Sequence, residues 1–224
     1  MDARKLQAVI FDMDGLMIDS EQTHSRSLEI VLNSYGIKPE LNKYGIIQTL
    51  GIGVPSNWEK LKKKYSLKPS VGKLTEEKHA AYEKLIPEIQ AMPGLGPLLK
   101  ELGSVNLKMA VASGESMKNI KTILKQLKII DYFDALVSGE EVDKPKPNPD
   151  IFLEAAKQLV VDPKNCLVLE DAPSGIEAAK RANMHAVAVY SEFNHSENFE
   201  NADKIYQSLE AISAAKLMSL TTLN

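Results

Sequence analysis

Two aspartates one residue apart, Asp12 and Asp14, close the short apolar run Ala8-Val9-Ile10-Phe11 and stand before Gly15. Carboxylates this close repel one another unless a cation or a shared proton intervenes. The pair therefore suits a divalent-metal site, a nucleophile beside an acid/base, or both. Three later stations carry complementary chemistry. Ser113-Gly114 follows the run 107–112. Its hydroxyl can donate and the adjoining backbone N–H groups can receive an anion, although a serine there is also a routine helix cap. In Asp143-Lys144-Pro145-Lys146-Pro147-Asn148-Pro149-Asp150 alternating prolines stiffen a lysine loop. Such a loop presents an ammonium to a phosphate or to a nucleophile, or else is a plain surface turn. Glu170-Asp171 follow the apolar Leu167-Val168-Leu169 directly, where they would join Asp12 and Asp14 as oxygen ligands suited to Mg²⁺.

These groups need strands whose ends lie together. The run 8–11 is too short for a helix and rich in β-branched and aromatic residues, so it reads as a buried strand. The carboxyl end of such a strand is where open α/β sheets bind ligands. Leu28, Val31, Leu32 and Tyr35 then recur at helical spacing over 21–35, and further helices are expected around 55–65 and 74–86, with no strand between. The Glu59–Lys64 charge run reads as a solvated helix face. After Met92-Pro93-Gly94 the pattern alternates. Strands are expected at 107–112, 135–138, 166–170 and 186–190, and helices at 94–103, 115–127, 149–160, 174–183 and 208–218. Alternation of this kind predicts an α/β fold: a doubly wound, Rossmann-like parallel sheet covered on both faces. The first strand must join that sheet, so the core comprises 1–18 and 91–224, and 19–90 form an inserted all-helical domain.

Composition removes other classes of function. The 224 residues carry a net charge of −3 and are 44% hydrophobic, enough for a real core without the basic surplus of a nucleic-acid or anionic-membrane binder. The apolar run near the amino terminus is brief and broken by Asp12 and Asp14, which is unlike a signal peptide, and no stretch has a membrane span's length. The single cysteine, Cys166, opens an apolar run and reads as a buried structural thiol. A cytoplasmic setting is expected.

In order, Asp12-Met13-Asp14-Gly15, Ser113, Lys146-Pro147-Asn148-Pro149-Asp150-Ile151-Phe152 and Glu170-Asp171-Ala172-Pro173-Ser174-Gly175 resemble the motifs of the haloacid dehalogenase superfamily of phosphohydrolases. The likeness is to the branch with a helical cap inserted after the first strand, and it covers nearly the whole chain. The resemblance implies that Asp12 is the nucleophile that becomes an aspartyl-phosphate. Asp14 would protonate the leaving oxygen and then activate water, its backbone carbonyl also binding Mg²⁺. Asp12 and Asp171 would be direct ligands, with Glu170 close by. Ser113 and Gly114 would bind the phosphoryl group, and Lys146 would steady both Asp12 and the phosphate. The family pattern Lys-Pro-x-Pro-Asp fits Lys146, leaving Lys144 to solvent.

Within that family the acid at Asp14 favours phosphate esters over carbon–halogen bonds and phosphonates. Ala91-Met92-Pro93-Gly94 and the segment 166–173 look like capped phosphatases acting on sugar phosphates or nucleoside monophosphates. Asp19-Ser20-Glu21-Gln22-Thr23-His24 resembles the start of the cap in β-phosphoglucomutase-like proteins. There His24 would help gate the acid/base, and Lys78 would correspond to a substrate-recognising cap lysine. Alternatively His24 is an ordinary first-turn residue and Lys78 is solvated. Where mutases place an arginine that clamps the non-reacting phosphate, Gly51-Ile52-Gly53-Val54-Pro55 offers Val54, and no arginine lies between Arg26 and Arg181. The expectation is thus a Mg²⁺-dependent, monomeric phosphatase of a small phosphorylated metabolite. A phosphosugar mutase is the alternative, and a non-catalytic sensor of phosphorylated metabolites a lesser one.

Overall fold

A computed structural model describes residues 5–49, 53–191, 194 and 198–220. It divides into a larger unit, Met1–Ile18 with Gln90–Asn224, and a smaller one, Asp19–Ile89. Strand β1 (Ala8–Phe11) opens the larger unit, and α1 (Glu21–Ser34), α2 (Val54–Tyr65) and α3 (Val71–Leu85) form the smaller. The chain then continues through α4 (Leu95–Ser104), β2 (Lys108–Ser113), α5 (Met117–Gln126), β3 (Ala135–Ser138), α6 (Asp150–Leu159) and β4 (Cys166–Glu170). It ends with α7 (Pro173–Arg181), β5 (His185–Val189), β6 (Lys204–Tyr206) and α8 (Ala214–Leu220).

The six strands form one parallel sheet in the order β3-β2-β1-β4-β5-β6, the expected α/β architecture. Because β1 lies between β2 and β4, the strand order reverses beside it, and ligand crevices in open sheets form at such a point. Phe11 pairs in register with Val111 on one side and with Leu169 on the other. The residues that follow these strands therefore emerge together. Alternation sends Ala8 and Ile10 to one face, in a buried cluster with Phe152, Ala155 and Leu159 of α6 and Ile176 and Ala179 of α7. Phe11 points the other way and meets the edge of Phe133, ring centroids 5.9 Å apart.

The larger unit also brings together the points where the chain leaves it and returns. Ile18 bridges to Ala91, and the Met92 amide donates to the Met17 carbonyl at 2.8 Å. The smaller unit has its own core, with Leu28, Val31 and Leu32 of α1 clustering with Trp58 and Leu61 of α2 and Leu74 and Ala81 of α3. Its polar anchors are buried as well: Asn57 accepts from the Thr49 amide at 2.8 Å and donates to the Thr49 carbonyl at 3.1 Å. Among the described residues no helix is long and apolar enough to cross a membrane.

Two expectations about the carboxyl-terminal region need correction. The segment 208–218 is not one helix: a 3-10 turn at Leu209–Ala211 is separated from α8, whose first turn is held by Ser213 Oγ accepting from the Lys216 amide at 3.3 Å and by Glu101 accepting from the Ala214 amide at 2.9 Å. The short edge strand β6 was not expected at all. It has three partly exposed residues and no apolar alternation, and it exists because the edge of β5 offers it a ladder.

Helix α6 ends on Val160, which sits at φ 54°, ψ 52° and is 84% exposed. A β-branched side chain in the left-handed region is strained, by roughly 1–2 kcal/mol, and this one recovers little by burial. Val160→Gly is therefore expected to raise stability by about 0.5–1 kcal/mol after the glycine's entropy cost, read as a higher urea midpoint. An unchanged or lower midpoint would refute the strain.

Candidate active site

Asp12, Asp14, Ser113, Lys146, Glu170, Asp171 and Asn194 all belong to the larger unit. The Asp12 amide donates to the Leu169 carbonyl at 3.0 Å, continuing the β1–β4 ladder one residue past the strand and fixing where the Asp12 carboxylate emerges. Lys146 reaches across from the proline-stiffened loop. Its ammonium donates to Asp12 Oδ1, to Glu170 Oε1 at 2.8 Å and to the Ala112 carbonyl at 3.4 Å, and lies 4.9 Å from the centre of the Phe152 ring. Glu170 is only 1% exposed; its other oxygen accepts from the Ala172 amide at 2.8 Å. Room for that carboxylate comes from Gly175 in the first turn of α7, where a Cβ would stand 1.7 Å from Glu170 Oε1. Gly15, at φ +80°, does the same for Asp171: a Cβ there would fall 2.1 Å from Asp171 Oδ2.

Asp14 enters a different network. Its Oδ2 accepts from Ser113 Oγ at 3.1 Å, and the same hydroxyl accepts from the Glu115 amide at 3.1 Å. Ser113 is fully buried, whereas Gly114 is exposed at the end of the strand. Two carboxylates one residue apart thus meet different partners, an ammonium for Asp12 and a hydroxyl for Asp14. Lys144 faces solvent.

Burial and neighbouring acids set the electrostatics at Asp12 against its charged form. Burial pushes the Asp12 carboxyl up to about 8; Lys146 pulls it down, and Glu170 and Asp14 push it up. Burial works against the Lys146 ammonium, yet Asp12 and Glu170 outweigh it and hold that group above its ordinary value. Ligand oxygens of Asp12, Glu170 and Asp171 all lie within 4.8 Å of one another. Three carboxylates that can bring oxygens to one point fit a hard divalent cation, and these are the residues that could hold it.

The spacing of apolar runs gave no sign of Asn194. Its side chain is 6% exposed and spends its whole amide on backbone, donating to the Asp171 carbonyl at 2.7 Å and the Val189 carbonyl at 3.2 Å and accepting from the Ser191 amide at 2.7 Å. It ties the turn after β5 to the backbone of Asp171. Cys166 is buried, and burial pushes its thiol up to about 12, which makes it inert.

His24 and Lys78 lie in the smaller unit and meet there. Lys78 Nζ is 2.8 Å from His24 Nδ1, the His24 ring stacks on Tyr82 at 4.4 Å, and the Lys78 ammonium lies 4.8 Å from the centre of that ring. Lys78 is 2% exposed, so the solvated alternative does not hold. With Lys78 protonated, Nδ1 accepts and the ring proton sits on Nε2. Val54 opens α2, while Gly51 and Ile52 of the same segment lie outside the described residues.

A parallel sheet with carboxylates at the ends of β1 and β4, a lysine between them and an inserted helical unit defines a class, and the chain belongs to it: it is a haloacid dehalogenase-like hydrolase, the family model matching residues 9–189. Among its relatives, the phosphorylated carbohydrates phosphatase of Thermotoga maritima is 33% identical, over 81% of this chain and 84% of that one. The β-phosphoglucomutase of Bacillus subtilis is 35% identical, over 82% and 83%. The crystal structure of β-phosphoglucomutase from Clostridium difficile superposes with a TM-score of 0.80 at 31% identity, covering 96% of this chain and 97% of that one.

The raised Asp12 carboxyl has a measurable consequence. A carboxyl whose folded value lies above its unfolded one stabilises the fold below about 4, and that contribution is lost as pH rises through about 8. The melting temperature of the cation-free protein is expected to fall across this window more steeply than that of Asp12→Asn. A divalent cation should restore it most at the alkaline end. Parallel profiles for the two proteins would show that Asp12 is not the strained group.

Proposed function

We propose that this protein is a Mg²⁺-dependent phosphatase that hydrolyses a small phosphomonoester, a sugar phosphate or nucleoside monophosphate, through an aspartyl-phosphate on Asp12. The observation that carries the reading is the division of labour between Asp12, buried against Lys146, and Asp14, held by Ser113. Asp12 attacks phosphorus as its P–O bond to the leaving alcohol breaks, and Asp14 delivers its proton to that oxygen. Asp14 then takes a proton from the water that attacks the acyl phosphate, releasing phosphate and restoring Asp12.

Two anions must meet for this to happen. Unit like charges ~4 Å apart repel by ~4 kcal/mol even at an effective dielectric of ~20. Lys146 supplies one compensating charge at Asp12, and Ser113 and Gly114 border the place assigned to the phosphoryl oxygens. Mg²⁺ held by Asp12, Asp171 and the Asp14 carbonyl, with Glu170 beside them, supplies further charge neutralisation when bound. Gly15 and Asn194 keep Asp171 in place for that task. In the smaller unit we assign the His24–Lys78 pair to substrate recognition.

A phosphosugar mutase is the second reading, favoured by the two relatives named β-phosphoglucomutase. Val54 at the approximate position of a phosphate-clamping arginine speaks against it. Phosphorus NMR on a panel of sugar phosphates and nucleotides separates the two. Free phosphate as sole product is the expected result, whereas interconversion of positional isomers stimulated by a bisphosphate would establish the mutase. Asp12→Asn is expected to lower turnover by at least a thousandfold (roughly 4 kcal/mol of barrier) with the circular dichroism unchanged. EDTA should silence the wild type. Substantial turnover surviving either treatment would overturn the assignment it tests.

A further inference from the structure

Asn194 stands outside every motif that points to phosphoryl transfer, yet its side chain reaches the Asp171 backbone. The β4–β5 ladder ends at the pair Glu170 and Ala188. One residue further along each chain, the carbonyls of Asp171 and Val189 both accept from the same Asn194 Nδ2, at 2.7 and 3.2 Å. A side-chain amide has two hydrogens to give, so it adds one more rung where the ladder stops. Asn194 Oδ1 is occupied too, accepting from the Ser191 amide at 2.7 Å. The peptide that joins Asp171 to Ala172 is thereby held at both polar ends. Its carbonyl accepts from Asn194, and its N–H donates to Glu170 Oε2 at 2.8 Å. A peptide unit is planar, so fixing both groups fixes its rotation, and with it the direction in which the Asp171 side chain leaves the backbone. Gly15 closes another side of Asp171, with room for Oδ2 but not for a Cβ.

We propose that Asn194 is a positioning residue that gives the acidic site its preference for Mg²⁺ over Ca²⁺, by holding the Asp171–Ala172 peptide so that the Asp171 carboxylate cannot adjust to a larger ion. The inference rests on the reading of Asp12 and Asp171 as cation ligands and says what tunes them. Mg²⁺ demands a tight, near-octahedral set of oxygens about 2.0–2.1 Å away. Ca²⁺ takes more oxygens at about 2.3–2.6 Å, in looser arrangements and often with a carboxylate offering both of its own. Selection between the two thus depends on how freely the ligands can move. A carboxylate on a clamped peptide, packed against Gly15, keeps one direction, whereas one on a free peptide can turn and draw back. Residues that orient a ligand without touching the ion commonly set its affinity in this way.

The test loads the cation-free protein with Mn²⁺, counts the free ion by electron paramagnetic resonance, and displaces bound Mn²⁺ with Mg²⁺ or Ca²⁺ to obtain a dissociation constant for each. The wild type is expected to hold Mg²⁺ the more tightly. Asn194→Ala should weaken Mg²⁺ by about tenfold and Ca²⁺ much less, so the preference shrinks by nearly that factor. Asn194→Asp keeps the size of the side chain and the acceptor for Ser191 but loses the donor to Asp171. Its added charge acts on two divalent ions alike and cancels in the ratio, so the preference should shrink here as well; this variant also serves if Asn194→Ala fails to fold. The melting temperature of each cation-free variant separates a merely structural role. A lower melting temperature with the wild-type ratio of constants would overturn the role of Asn194, as would a wild type that holds Ca²⁺ the more tightly. A wild type that binds none of the three cations would instead overturn the reading of Asp12 and Asp171 as cation ligands, and the inference with it.

Discussion

The arrangement at the end of the sheet depends on one ion pair that is never balanced. Lys146 is the ammonium that Asp12 and Glu170 share, and both carboxylates are almost wholly withdrawn from water. Burying one charge without a partner is costly, and burying two carboxylates against a single ammonium leaves an excess that the backbone must hold in place. The surrounding structure does so at several points. The β1–β4 register brings the two acids together, the Ala172 amide takes the second Glu170 oxygen, and Gly175 leaves the space. A site built this way holds its acidic oxygens where they could bind a divalent cation.

Alternation along the strand direction explains why Asp12 and Asp14 can differ so much. Two residues apart in an extended chain would share a face, but Gly15 turns the backbone at once, and Asp14 enters a bridge with Ile18 instead of continuing the sheet. Asp12 keeps the company of β4. Asp14 faces the end of β2, where Ser113 and Glu115 wait. That the two carboxylates meet different partners follows from where β1 stops.

Much of this was legible in the sequence, for physical reasons. The strands β1 and β4 are continuous apolar runs because both faces are covered, and polar residues at their ends mark the limits sharply. The helical insertion was legible from its 3.6-residue period. The rest turns on contacts between distant segments that no local pattern encodes. Asn194 binds three backbone groups and looks in the sequence like any loop asparagine. Strand β6 pairs along the edge of β5, and Lys78 is buried in contact with His24 and Tyr82. The break in 208–218 depends on Ser213 and Glu101 competing for backbone that a continuous helix would have used.

The bridge between Ile18 and Ala91 alters how the insertion is counted. Seen from the sheet, the segment Asp19–Ile89 is the loop of a closed two-stranded connection whose ends are already stapled. Loop-closure entropy grows only logarithmically, by about 0.6 kcal/mol for each doubling in length. Such a junction behaves as a socket: modules of different size and shape can be spliced between the same two residues while the strand order stays as it is. Diversification of what is inserted is thereby decoupled from the acid–lysine geometry that the sheet must preserve.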